Sequence, residues 1–175
     1  MIKKSIKSKI MEYFFLNPTQ RLRVREIERK ARVPLPSAIK YSKELEEEGI
    51  LKSAEISSAR FYSADRSSKK FLMEKKLFNL RSIAESGIVE YAVEQCSNPT
   101  VVLFGSYSKG EDTVASDIDL YIEAQKTVHL EQFENQLHRR IQIFAYRNIN
   151  DIKNKELANN IINGITLNGF LEAIK

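Results

Sequence analysis

Val101-Val102-Leu103-Phe104-Gly105-Ser106-Tyr107-Ser108-Lys109-Gly110-Glu111-Asp112-Thr113-Val114-Ala115-Ser116-Asp117-Ile118-Asp119-Leu120-Tyr121 is the stretch on which the reading of this chain turns. It opens with an apolar run, Val101 to Phe104, short enough for a buried strand. The run stops at Gly105-Ser106, Gly110 follows, and after a polar loop a second strand-like run extends from Asp117 to Ile122. In an extended strand residues i and i+2 share a face, so Asp117 and Asp119 project together, roughly 6–7 Å apart at Cα. Ile118, Leu120 and Ile122 then fill the opposite face. Two carboxylates on one face beside a Gly-Ser turn suit a divalent metal and phosphate. Mg²⁺ prefers carboxylates plus phosphate oxygens, and glycine lets backbone N–H groups approach an anion closely.

Asp-x-Asp and Gly-Ser are each common, but their combination is far more specific. Gly105-Ser106-Tyr107-Ser108-Lys109-Gly110 followed by Ser116-Asp117-Ile118-Asp119-Leu120 resembles the signature of the DNA polymerase beta-like nucleotidyltransferase superfamily, and most closely its small, minimal members. The resemblance covers about Ser86 to Lys175 and implies a small mixed sheet with helices packed on it. It implies that Gly105, Ser106, Lys109, Gly110 and Ser116 bind the nucleotide, and that Asp117 and Asp119 are catalytic and hold Mg²⁺ or Mn²⁺. The implied reaction moves a nucleoside monophosphate from an NTP to an acceptor hydroxyl, releasing pyrophosphate. Lys109 stands where many small members have arginine; it keeps the charge but loses the bidentate fork.

One departure bears on turnover. The family carries a third carboxylate on the next strand, and the matching strand here reads Arg140-Ile141-Gln142-Ile143. An amide accepts hydrogen bonds but cannot act as a general base. Glu123 lies four residues beyond Asp119, roughly 13 Å along a strand, too far to replace it. Glu111 and Asp112 precede the strand in a loop the sequence does not place. Two functions therefore stand: a metal-dependent nucleotidyltransferase coupled to DNA binding, or a catalytically degenerate, nucleotide-responsive DNA-binding regulator.

The N-terminal part reads differently. Residues 1–82 hold 20 Lys and Arg against 10 Asp and Glu, a net +10. Residues 83–175 hold 8 against 13, a net −5. Such asymmetry suggests a first half facing a polyanion and a second concentrating cations. Helical spacing predicts helices over 5–16, 23–31 and 37–48, with Pro36 suited to a helix's first turn and Gly49 to a C-cap. A strand beginning at Ile50-Leu51, a Ser57-Ser58-Ala59 turn and a return strand over Arg60–Ser63 complete the pattern. Three helices and a hairpin resemble a winged helix-turn-helix domain, assigned to residues 1–64. By that resemblance Ser37, Lys40 and Lys43 face a major groove, and Arg25, Arg29 and Arg60 contact phosphates of double-stranded DNA. The same fold also serves as a docking module.

Residues 65–85 are expected to form a connecting helix, with Phe71 and Phe78 on one packing stripe. Such a stripe serves intramolecular packing or, in a homodimer, a partner copy. Further helices are expected over 87–96, with Ser86 as cap, 130–137 and 151–163, and a strand over 140–146, followed by a tail over 165–174. The fold class is thus α+β: winged helix-turn-helix, connecting helix, then a nucleotidyltransferase-type sheet over 86–175.

At 42% apolar and 29% charged residues the chain has the composition of a soluble globular protein. No run approaches a membrane span, and Met1-Ile2-Lys3-Lys4 lacks a leader's apolar core. The single Cys96 excludes an internal disulfide and fits a reducing, cytoplasmic location. With His129 and His138 it offers too few ligands for a typical zinc site. Small relatives of this type often act as antitoxins, so a toxin protein joins tRNA among the acceptors the resemblance suggests.

Overall fold

The computed structural model describes residues 5–125 and 128–172. The chain forms two compact units, Met1–Phe78 and Asn79–Lys175.

The first unit begins with helix α1 (Ile6–Leu16), whose Ser5 hydroxyl accepts the Ser8 N–H, and whose Ile10, Phe14 and Phe15 are buried. A two-residue strand β1 (Arg21–Leu22), unseen in the sequence pattern, precedes α2 (Val24–Ala31). Helix α3 (Leu35–Glu47) starts two residues before the expected Ser37, because Pro36 is accommodated in its first turn, and it buries Ala38, Ser42 and Leu45. Strands β2 (Leu51–Ile56) and β3 (Ala59–Ala64) turn at Ser57 and Ser58, both with positive φ. The antiparallel sheet has the order β1-β3-β2. Its core gathers Ile10, Phe14, Ile27, Leu45, Leu51 and Tyr62 with Phe71 of α4 (Lys69–Ser86). The Phe71 and Phe78 rings lie 5.5 and 5.4 Å from that of Phe15, so the stripe packs within its own unit. The division between the units falls inside α4, so the segment expected over 65–85 is shared between the two rather than separate from both.

The second unit is built on a four-stranded sheet, ordered β6-β5-β4-β7, from β4 (Val101–Phe104), β5 (Ile118–Glu123), β6 (Ile141–Tyr146) and β7 (Ile165–Asn168). β4 runs antiparallel to β5 and β7, while β5 and β6 are parallel. All four residues of β4 are buried because both faces are covered. On one face Val101, Leu103, Ile118, Leu120 and Ile122 meet Ile83 of α4 and Ile88 and Ala92 of α5 (Ile88–Cys96). On the other, Val102, Phe104 and Tyr121 meet Ile149, Ile152 and Ile161, the last from α8 (Lys155–Ile162). That burial supplies about 25 cal/mol per Å² of apolar surface removed from water.

Several boundaries differ from the sequence expectation. Gly105-Ser106 opens not a plain turn but a short helix, α6 (Gly105–Lys109). β5 begins at Ile118, leaving Asp117 just outside the strand. Ser86 ends α4 and also serves the start of α5 from the residue before its N-cap Gly87; its hydroxyl donates to the Ile83 carbonyl at 2.7 Å and accepts the Ile88 N–H at 3.2 Å. The expected 130–137 helix is a 3₁₀ turn followed by α7 (Glu134–Leu137). Over 151–163, a 3₁₀ turn ends at Asp151 and α8 (Lys155–Ile162) begins only after Asn154, whose side chain accepts the Glu156 and Leu157 N–H groups. The end of the tail, 173–175, and residues 1–4 lie outside the described residues.

Candidate active site

The carboxylate pair stands where β5 begins. Both Asp117 and Asp119 are half-buried, while Ile118, Leu120 and Tyr121 are buried around them. Burial pushes the Asp119 carboxyl above the usual range, and the charge on nearby Asp117 pushes it further. Asp119 thus carries an electrostatic strain that a bound cation would relieve.

Strand register fixes what flanks it. Asp119 lies opposite Phe104 on β4 and beside Gln142 on β6. Laterally paired residues share a face of a sheet, so the amide of Gln142 occupies the position next to Asp119. Gly105 follows Phe104 with φ +71°, and a Cβ built on it would overlap Asp119 Oδ2 and come within 3.1 Å of Cγ. The glycine is required twice over, by its left-handed backbone and by the carboxylate against it. The buried hydroxyl of Ser108, which the sequence reading passed over, donates to the Gly105 carbonyl at 2.8 Å.

The remaining sequence candidates fall around this centre. Ser106 is half-buried and its carbonyl accepts the Glu111 N–H at 3.0 Å. Lys109 is exposed at the last turn of α6, and Gly110, φ +76°, ends that helix. The Ser116 hydroxyl accepts the Thr113 N–H at 2.9 Å, tightening the loop just before Asp117. Glu123 ends β5, four residues from Asp119. Two open clefts sharing Ala124, Gln125 and Arg147 lie beyond that far end of β5 and belong to a different part of the surface.

Asp112, a loop carboxylate the sequence could not place, does not approach the pair as a third ligand. It is buried, with Oδ1 accepting from Asn79 Nδ2 at 2.8 Å and Oδ2 accepting from Arg139 Nη2 at 3.3 Å. Among the described residues no group of three His, Cys, Asp or Glu is placed to hold a metal ion. The fit to Mg²⁺ or Mn²⁺ therefore rests on two hard oxygen donors, with phosphate oxygens of a nucleotide completing the shell. The raised carboxyl of Asp119 and the bare Gly105 beside it agree with that fit.

In the first unit Arg25, Arg29 and Lys43 are exposed, and among the described residues no ion pair joins them to a carboxylate. Lys40 reaches Glu44 at 3.8 Å, and Arg60 is held by the Ser53 hydroxyl at 3.0 Å and Glu46 at 3.5 Å. Ser37 is half-buried in the first turns of α3. Glu48 meets Lys7 at 2.5 Å and Lys70 at 3.7 Å. Glu44, Glu46 and Glu48 of the acidic run 44–48 thus each have a lysine or arginine within 4.0 Å. No described helix is long and apolar enough to cross a membrane.

Residues 86–169 match the family model described as polymerase beta, nucleotidyltransferase. That match supports the nucleotidyltransferase superfamily, and with it nucleotidyl transfer in its general form, for this half of the chain. No curated protein and no solved structure matches the chain.

Proposed function

We propose that the second unit is a divalent-metal-dependent nucleotidyltransferase and that the first binds double-stranded DNA. One observation carries the first part: within the matched stretch, the half-buried carboxylate of Asp119, raised by burial and by the charge of Asp117, stands against Gly105, whose missing Cβ leaves room for it. Asp117 and Asp119 would hold Mg²⁺ or Mn²⁺, which supplies charge neutralisation at the triphosphate. Gly105, Ser106 and Gly110, with Lys109 and Ser116 around them, would orient that triphosphate. In the transfer, an acceptor oxygen bonds to the α-phosphorus as the bond to pyrophosphate breaks. The acceptor's proton leaves to solvent water, not to Gln142, since an amide carries no basic site at neutral pH.

The test is incubation with Mg²⁺ and α-labelled NTPs together with candidate acceptors, including protein tyrosines, toxin proteins and tRNA. Label is expected on an acceptor and lost in Asp117→Ala/Asp119→Ala. Label transfer surviving that double change belongs to a contaminant and refutes the assignment.

A second reading rests on Gln142 beside Asp119: the unit binds NTP without transferring it, and nucleotide tunes DNA binding. Tight NTP binding, no product with any acceptor, and a Gln142→Asp variant that gains transfer would favour it.

For the first unit, three helices and a β1-β3-β2 sheet with an antiparallel β2–β3 hairpin support a winged helix-turn-helix assignment. Arg25, Arg29 and Lys43 offer charge not committed to carboxylates, whereas Lys40 and Arg60 must share theirs with Glu44 and Glu46. A full chain that shows no affinity for duplex DNA at low salt would leave the docking-module reading.

A further inference from the structure

We infer that Asn79, Asp112 and Arg139 form a buried positioning network that holds the nucleotide site together; the inference rests on the nucleotide-site reading above. A carboxylate and a guanidinium are costly to bury and persist only when paired and hydrogen-bonded. Here Asp112 and Arg139 are 1% and 7% exposed and meet at 3.3 Å. Asn79, also buried, spends its Nδ2 group on two acceptors, Asp112 Oδ1 and the Tyr107 carbonyl, each at 2.8 Å. Arg139 Nη1 donates to the His138 carbonyl at 2.8 Å. The Tyr107 side chain is buried in the same region and hydrogen-bonds Ser82, one turn along α4 from Asn79.

The points this network clamps are the ones the site hangs from. Tyr107 is the residue after Ser106 and two after Gly105. Asp112 begins the loop that ends at Asp117. Arg139 lies three residues before Gln142, and the Arg140 carbonyl beside it accepts the Ile118 N–H at 2.8 Å, next to Asp117. One fork from α4 therefore fixes α6, the loop carrying the first carboxylate and the entry of β6 relative to each other. All three side chains are buried, so they act through the residues they hold. Groups that orient metal ligands from behind typically change metal affinity or activity 10–100-fold when removed.

The test uses the full chain with Mn²⁺ and NTP as probes, read by calorimetric titration and by melting without ligand. In Asp112→Leu/Arg139→Met the buried charges go together, so no unpaired charge is left and folding can be retained. The expected result is a melting temperature near wild type with NTP affinity about 10–100-fold weaker. As a milder change, Asn79→Ala should also weaken NTP binding and speed amide exchange at Glu111 and Ser116, whose N–H groups close the α6 turn and the loop. If wild type binds NTP and both variants bind it within twofold of wild type, the network has no positioning role and the inference falls alone. If wild type binds no NTP in Mn²⁺, the nucleotide-site reading falls and takes this inference with it.

Discussion

Gly105→Ala should be far more damaging than an alanine at another glycine of the same handedness. Gly105 has φ +71°, where an L residue costs about 1–2 kcal/mol. The new methyl must also displace the Asp119 carboxylate, whose Cγ lies 3.1 Å from the ideal Cβ position. Overpacking of that kind costs about 1–3 kcal/mol, giving about 2–5 kcal/mol in all. For a unit of this size each kcal/mol lowers the melting temperature by about 4–8 °C. Gly87 provides the control, since its φ is +76° but nothing lies within 4 Å of its Cβ position. Gly87→Ala should therefore cost only the backbone part, about 1–2 kcal/mol. Urea unfolding of the full chain in EDTA, followed by fluorescence and circular dichroism, compares the two. Repeating Gly105→Ala in an Asp119→Ala background should remove the overlap and bring its cost down to that of Gly87→Ala, a coupling of about 1–3 kcal/mol. Equal costs for the two glycines, unchanged by Asp119→Ala, would refute the reasoning that Gly105 is kept bare by the carboxylate.

Without metal, Asp119→Asn should stabilise the fold at neutral pH. The folded-state carboxyl is raised above its unfolded value by burial and by Asp117, so its ionised form penalises folding. Wild type should regain that stability as pH falls through the raised folded value towards the unfolded one. The advantage of Asn should vanish below both, as melting against pH would show. In the first unit, Arg25→Ala/Arg29→Ala should flatten the plot of log DNA affinity against log salt by about 1.8, at roughly 0.9 per lost phosphate contact. Arg60→Ala should flatten it by less than the roughly 0.9 of a full phosphate contact, because Glu46 already shares that charge; a change of about 0.9 would place Arg60 on the phosphates. Lys40→Ala/Lys43→Ala should shift base preference in a site-selection assay more than the salt slope.

Much of the second unit was legible because its signals are local. Four consecutive apolar residues announced β4, and the alternation of Asp119 with Ile118 and Leu120 announced β5 and its two faces. Gly105 stood out as a glycine between strand and polar loop, although the carboxylate that demands it comes from a neighbouring strand. α6 escaped because five residues give no helical period to read. The start of α8 was misplaced for the opposite reason: Ile152 extended an apparent period that the Asn154 cap cuts short. Asp112 and Arg139 are 27 residues apart, and nothing local links a loop carboxylate to an arginine ahead of a strand. The amide at Gln142 was visible in the sequence, but its place beside Asp119 required the parallel register of β5 and β6.

The central claim is that Asp117 and Asp119 hold a divalent ion for a nucleotide, and melting with Mn²⁺ and NTP tests it without knowing any acceptor. A ligand that binds only the folded state stabilises it by about 2.7 kcal/mol at a hundredfold excess over Kd. The melting temperature of wild type should rise with Mn²⁺ and rise further with Mn²⁺ plus NTP, while Asp119→Asn should respond to neither. Identical responses in wild type and Asp119→Asn would make the pair ordinary strand carboxylates and contradict both the transferase and the nucleotide-sensor readings.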